Sequence, residues 1–258
     1  MVNKAMMKFQ DTPAPRLRIK HPKRVIIIAL VSLLVIAAGI YAFLSYQNWQ
    51  QFDQRSQASA VSLKTAIDES LGNESSAETP AEQIDKVINN FEDTYGDTPC
   101  ETTSLYSWQT VVPAVNEMQN SCTSRSSSTL AVINALKPLS QFLKDQKVAA
   151  ATIAATIEAT KEPSDYSVAA TLWQENTKTL PGTEQFAPVT NKINEVTGLI
   201  SSAYSALASA STVEDKAAFD AAITSLQTAY QTIPSIHAIA LEAQTSLTTA
   251  VTEAYKKL

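Results

Sequence analysis

Glycine is nearly missing from this chain, with five in 258 residues. Tight hairpins need residues that tolerate positive φ, so a glycine-poor, alanine-rich chain points to helices rather than sheet. Histidine and cysteine occur only twice each. Neither His21 nor His237 has a cysteine, aspartate or second histidine at ligand spacing, which removes the usual zinc sites and the Ser-His-Asp and Cys-His constellations. The sequence also lacks a phosphate-binding glycine loop, a dinucleotide fingerprint and a basic-aromatic stripe for nucleic acid. On this reading there is no catalytic residue, no cofactor and no metal, and neither enzymatic activity nor a nucleic-acid partner is expected. Charge is sparse at 17% of residues, so much of the folded surface must be hydroxyl and amide.

What the chain does have is one long run without charge. Residues 25–46 read VIIIALVSLLVIAAGIYAFLSY. As a helix they span about 33 Å, enough to cross a hydrocarbon core of about 30 Å. The apolar stretch of a cleaved signal peptide is shorter and ends at small residues. Here the one good A-x-A triplet, Ala58, Ser59 and Ala60, lies well beyond the run. An uncleaved anchor is expected, with the lipid bilayer as its partner through residues 25–46. No second apolar run follows, so one crossing is expected.

The charge balance sets the expected orientation. Residues 1–24 carry seven basic side chains against Asp11 alone, whereas the whole chain has a net charge of −5. Positive residues flanking a span stay in the cytoplasm. The expected layout is therefore a short basic cytoplasmic tail over 1–24, a transmembrane helix over 25–46 and an extracytoplasmic body over 47–258. Tyr41, Phe43, Tyr46 and Trp49 would form the outer aromatic belt.

Beyond the span, helical spacing continues without Gly or Pro to residue 71, and Gly72 is a natural stop. Thr79, Pro80 and Glu82 then form a capping box with proline at the first helical position. Ile84, Val87, Ile88, Phe91 and Tyr95 make one stripe closed by Gly96. Leu105, Trp108, Val112, Val115 and Cys122 follow a heptad with Pro113 in its middle. A polar run over 121–129 separates this from a stripe built on Val132, Leu136, Leu139, Leu143, Ile153 and Ile157. Pro138 is expected to kink or divide that helix. Shorter helices follow: one capped by Ser164 and Asp165 that buries Val168, Leu172 and Trp173, one over 188–210, one over 213–233 capped by Ser211 or Thr212, and one from Pro234 onward. Short turns make sequential helices antiparallel neighbours. The fold class expected is all-α, one N-terminal transmembrane helix followed by an exported antiparallel multi-helix bundle, with two sub-bundles dividing near 163.

The remaining chemistry is thin. Cys100 and Cys122 lie on the oxidising side, where a lone pair usually bridges. A straight helix over 104–122 would hold them some 25–30 Å apart, so a bridge requires the chain to fold back near Pro113. Without the bridge, 104–122 would be one kinked helix with Cys122 in the core. Asp93, Asp97 and Glu101 around Gly96 have the makings of a weak cation site but not the EF-hand spacing, and the acidic segment 68–101 reads as a solvated face. Asn73, Glu74 and Ser75 match a glycosylation acceptor. Tyr106, Phe142, Tyr166 and Phe186 fall beside the core stripes and are the candidates for an interaction surface. The function expected is a non-enzymatic, membrane-anchored interaction or scaffold protein of a bacterial envelope, with a protein partner there. The alternative is a ligand-sensing ectodomain that signals through another protein. Protease added outside intact cells or spheroplasts should digest the chain beyond about residue 50 and spare the tail. Protection of the C-terminal part would overturn the orientation.

Overall fold

The computed structural model describes residues 22–72, 78–96, 100 and 113–258. Among them it is all-helical, with seven helices: α1 (Pro22–Gly72), α2 (Pro80–Tyr95), α3 (Pro113–Ala159), α4 (Tyr166–Thr177), α5 (Ala187–Thr212), α6 (Lys216–Gln231) and α7 (Ile233–Tyr255).

Helix α1 is unbroken for 51 residues, about 76 Å. Its side chains over 30–40 are all exposed, a ring of Leu, Val, Ile and Ala with nothing packed on it. From Ser45 upward one stripe turns inward: Ser45, Trp49, Ser56, Ser59, Leu63 and Ile67 are buried. Trp49 is only 1% exposed, so it belongs to the protein core and not to the lipid-facing belt. Phe43 and Tyr46 remain exposed.

Helix α3 points the same way as α1. Phe52, Asp53 and Ser56 meet Cys122 and Arg125, and higher up Leu63 and Ile67 share a core with Val132, Ile133 and Leu136. Helix α2 runs opposite to both, fixed by its ends. The Glu82 carboxylate accepts the Thr79 backbone N–H at 3.0 Å, as a capping box requires, and Gly96 closes the helix at φ 68°. Ile84, Val87, Ile88 and Phe91 are buried against α1 and α3.

Above this lower core α3 continues past the end of α1 into a second one. There it joins a core completed by α4, α5, α6 and the first half of α7. A division of the sequence near 163 separates α1–α3 from α4–α7, but the two cores divide differently. Helix α3 supplies Leu136 and Leu139 to the lower core and Phe142 and Ala149 to the upper, while α7 supplies Val251 below and Ile236 and Ala240 above. These two helices tie the halves together.

Several local expectations are corrected. Pro113 is the first residue of α3 and not a break inside a helix; its missing N–H costs nothing there. The polar run 121–129 is helical throughout. Ser126 and Thr129 are buried, and Thr129 donates its hydroxyl back to the Ser126 carbonyl at 2.8 Å, so these residues pack as small side chains. Pro138 does not divide α3; Leu136, Leu139 and Ser140 are all buried around it and hold the helix through the lost hydrogen bond. Helix α6 is capped by Asp215, which accepts the Ala217 and Ala218 N–H groups at 3.0 and 3.1 Å, and not by Ser211 or Thr212. Val168 is exposed because α4 packs through Ala169, Ala170 and Trp173 instead. One residue, Thr232, separates α6 from α7, too short a link for a helical hairpin. Helix α7 therefore leaves the end of α6 and descends along α3 to the lower core, where the Tyr255 hydroxyl donates to Asp68 at 2.6 Å.

Leu63, 1% exposed, joins the anchor helix to the lower core. Leu63→Ala should cost about 3 kcal/mol and lower the melting temperature by roughly 6–12 °C. A change within one degree in a thermal melt would show that α1 merely lies against the body.

Candidate functional site

The junction where α1 meets the start of α3 is held by three kinds of restraint. Cys100 and Cys122 form a disulfide with Cα atoms 5.9 Å apart, so the chain does fold back ahead of Pro113. Cys122 is fully buried and forms a small cluster with Trp49 and Val115, packed by Phe52 and Met118. One turn above, Arg125 pairs with Asp53 and donates from Nε to the Ser56 hydroxyl at 3.0 Å. Both charged groups are mostly covered, and the bridge between them crosses from α1 to α3. Apolar packing, an ion pair and a covalent bond thus act within three turns of helix. The covalent link closes a 22-residue separation, which in the chain-entropy view stabilises the fold by roughly 3 kcal/mol. Helix α1 is apolar and long enough to cross a membrane, and the disulfide points to an oxidising, exported compartment.

The acidic face of α2 stays largely solvated, and three of its acids also reach lysines of α3. Glu92, Asp85 and Glu82 meet Lys137, Lys144 and Lys147 of α3, at 2.6, 2.5 and 4.0 Å. Asp85 also accepts the Ser140 hydroxyl at 2.5 Å. Burial alone would raise the Asp85 pKa, but hydrogen bonds from Lys144 and Ser140 outweigh it and hold the carboxyl below its usual range. Glu82 is held low by its hydrogen bonds with Thr79. Among the described residues no group of His, Cys, Asp and Glu could hold a metal ion; of the weak cation candidates, Asp97 and Glu101 lie outside them, as does the sequon at Asn73.

The upper core carries a buried polar network that the sequence did not announce. Trp173 donates to the Thr160 hydroxyl at 3.1 Å, and Tyr204 donates to the Thr160 carbonyl at 2.8 Å. Tyr204 also lies 3.1 Å from the Tyr230 hydroxyl. Burial first, and then the Tyr230 hydroxyl, push the Tyr204 phenol well above its ordinary range, so it stays a protonated donor. Asp145 is buried too, accepting from Gln141 at 2.8 Å and from Thr183, and so fastens the turn before α5 to α3. All these groups are internally satisfied, and they position helices.

The residues proposed for an interaction surface fare unevenly. Phe142 and Phe186 are fully buried and pack on each other with ring centroids 5.4 Å apart, so they are core and present nothing to a partner. Tyr166 is half-buried between Tyr204 and Phe219. Tyr106 lies outside the described residues. Among the described residues, the exposed large apolar side chains above the span are Val61, Val148, Val168, Leu199, Val213 and Leu241. Apart from Val168, which the spacing placed on the buried stripe, and Val213, which lies in the turn after α5, their sequence signal was a valine or leucine off the stripe of its own helix, and in an alanine-rich chain that signal is weak. Compared with known proteins, the chain matches no family model, no curated protein and no solved structure.

Acid should loosen α2. The Asp85 and Glu82 carboxyls have pKa values lowered in the folded state, so their contribution is complete above the unfolded value near about 4 and is lost as pH falls through the folded value. The melting temperature should hold down to about pH 5 and drop below about pH 4, and Asp85→Asn should shrink that acid-dependent drop. Identical acid limbs for the variant and the parent would remove Asp85 from the account.

Proposed function

We propose that the protein is a non-enzymatic, membrane-anchored scaffold or interaction protein of a bacterial envelope. It would cross the membrane once, with residues 1–24 in the cytoplasm and the helical body outside. The observation that carries this reading is the continuity of α1. One helix is both the apolar segment and a core member of the body, with no Gly or Pro between residues 40 and 71 to act as a hinge. A body attached in this way cannot swivel on its anchor. Its distal turns stand about 70 Å above the start of α3, given 47 residues of helix. Stiffness and reach are what a spacer or docking post needs. A surface of hydroxyls and amides, with apolar side chains standing singly, suits selective contact more than bulk adhesion.

The test is site-specific photocrosslinking in cells that make the full chain at native level, with the photoreactive residue placed in turn at Val61, Val168, Leu199 and Val213. All four are exposed, and they lie on four different parts of the body. A discrete adduct from one or two positions and none from the others supports a docking surface. Adducts at none of them would count against the scaffold reading.

A further inference from the structure

The apolar stripe on α3 outlasts the helix that covers it. Over its lower half Val132, Leu136 and Leu139 are buried against Leu63 and Ile67 of α1. The same 3.5-residue spacing continues through Leu143, Gln146, Ala150, Ile153 and Ile157, but α1 ends at Gly72. What remains above that end is a cleft of about 280 Å3 between α3, α5 and α7. Its walls are Ile153 and Ile157 from α3, Val189 and Ile193 from α5, and Ile233 and Ile236 from α7. Val189 and Ile193 are fully buried, whereas Ala150, Ala154 and His237 are exposed, so the cleft has a closed floor and an open mouth. Its polar lining is the half-buried Gln146 amide and the His237 imidazole; no carboxylate or ammonium group lines it.

Volume decides what fits. A cavity of about 150 Å3 accepts benzene, or about 25 Å3 per carbon, which gives this cleft room for about eleven carbons. The lining excludes an ionised group inside, because nothing there would pair with it. An amide and an imidazole toward the solvent side are suited to hydrogen-bond a small polar head. We infer that this cleft binds the hydrocarbon chain of a medium-length free amphiphile, about ten carbons long, with its head held at the mouth by His237 and Gln146. The cleft stands beside residues 146–157 of a helix that begins at Pro113, about 50 Å along its axis. Its ligand therefore comes from solution and not directly from the bilayer. The inference stands independently of the scaffold reading.

Both native cysteines are bridged, so thiol chemistry will not interfere with a photoreactive probe. The full chain is placed in nanodiscs, without detergent that would compete for the cleft, and exposed to decanoic acid carrying a diazirine near its terminal carbon. Labelling is mapped by mass spectrometry. Expected is saturable labelling of peptides spanning 150–157 or 233–240, competed by plain decanol. It should be reduced at least tenfold by Ala154→Phe or Ala150→Phe, both of which project from exposed positions. His237→Ala should weaken decanoate more than decane. Labelling confined to the anchor around 30–40 would be simple partitioning into lipid and would overturn the proposal. So would cleft labelling that neither folded phenylalanine variant reduces, or saturable labelling by an amphipathic peptide probe that decanol does not displace.

Discussion

Everything in this molecule depends on one helix with two different surroundings, an apolar stretch with nothing packed on it and a protein core. Over its exposed apolar stretch α1 must satisfy every backbone polar group internally, which a helix does without neighbours. Higher up, the same helix must present a single stripe to a protein core, and Ser45, Trp49, Ser56, Ser59, Leu63 and Ile67 form it. Because the helix is continuous between these regimes, the azimuth of the stripe fixes which way the body faces. It also dictates topology. Helix α3 packs parallel to α1, so the chain must come back first; α2, antiparallel to both, makes that return, and the Cys100–Cys122 bridge ties the chain beyond α2 to α3.

The packing that follows is unusual in its chemistry more than in its shape. Helices α1 and α3 meet through Ser56, Ser59, Ala60, Cys122, Ser126 and Thr129, all small. The Ser59 hydroxyl donates to the Ser56 carbonyl at 2.8 Å, and Ser56 does the same to Asp53. With their polarity satisfied by their own backbone, such residues allow close approach at little desolvation cost. Apart from Trp49, Phe52 and Val115 beside the disulfide, the larger apolar residues gather in the two cores where more than two helices converge. Charge is used as sparingly: Arg125 with Asp53 at the junction, and the lysines of α3 with the acids of α2. The exposed pairs between α2 and α3 set register more than they add stability.

Rigidity and the apolar cleft have a common origin. Helix α3 is long enough to serve both cores, and α1 is not. The mismatch in length leaves the upper α3 stripe without its lower partner, so α5 and α7 line what α1 would otherwise have filled. A stiff α1–α3 junction and a recess beyond the end of α1 thus arise from where a single helix stops.

Local rules were legible in the residues themselves. The uncharged run over 25–46 dictates a helix of membrane length, the scarcity of glycine dictates helices after it, and Thr79, Glu82, Gly96 and Asp165 mark ends by chemistry that acts within one turn. Stripes such as Val189, Ile193, Val196, Ile200 and Leu207 on α5 are visible because they repeat at helical spacing and are buried as that spacing implies. What the chain does with small or ambiguous residues was decided only by the tertiary structure. A serine and threonine run looks the same in a loop and in a close helix interface, since the difference lies in whether another helix arrives. Phe142 and Phe186 sit off their own stripes and look free until α3 and α5 bring them together. The acids of α2 are solvated as the sequence implies, but only the fold shows that three of them also reach lysines of α3. The cysteine pair is the sharpest case. Spacing alone allowed either a bridge or a straight helix, and it was the parallel packing of α3 on α1 that required the chain to double back and set the two sulfurs side by side.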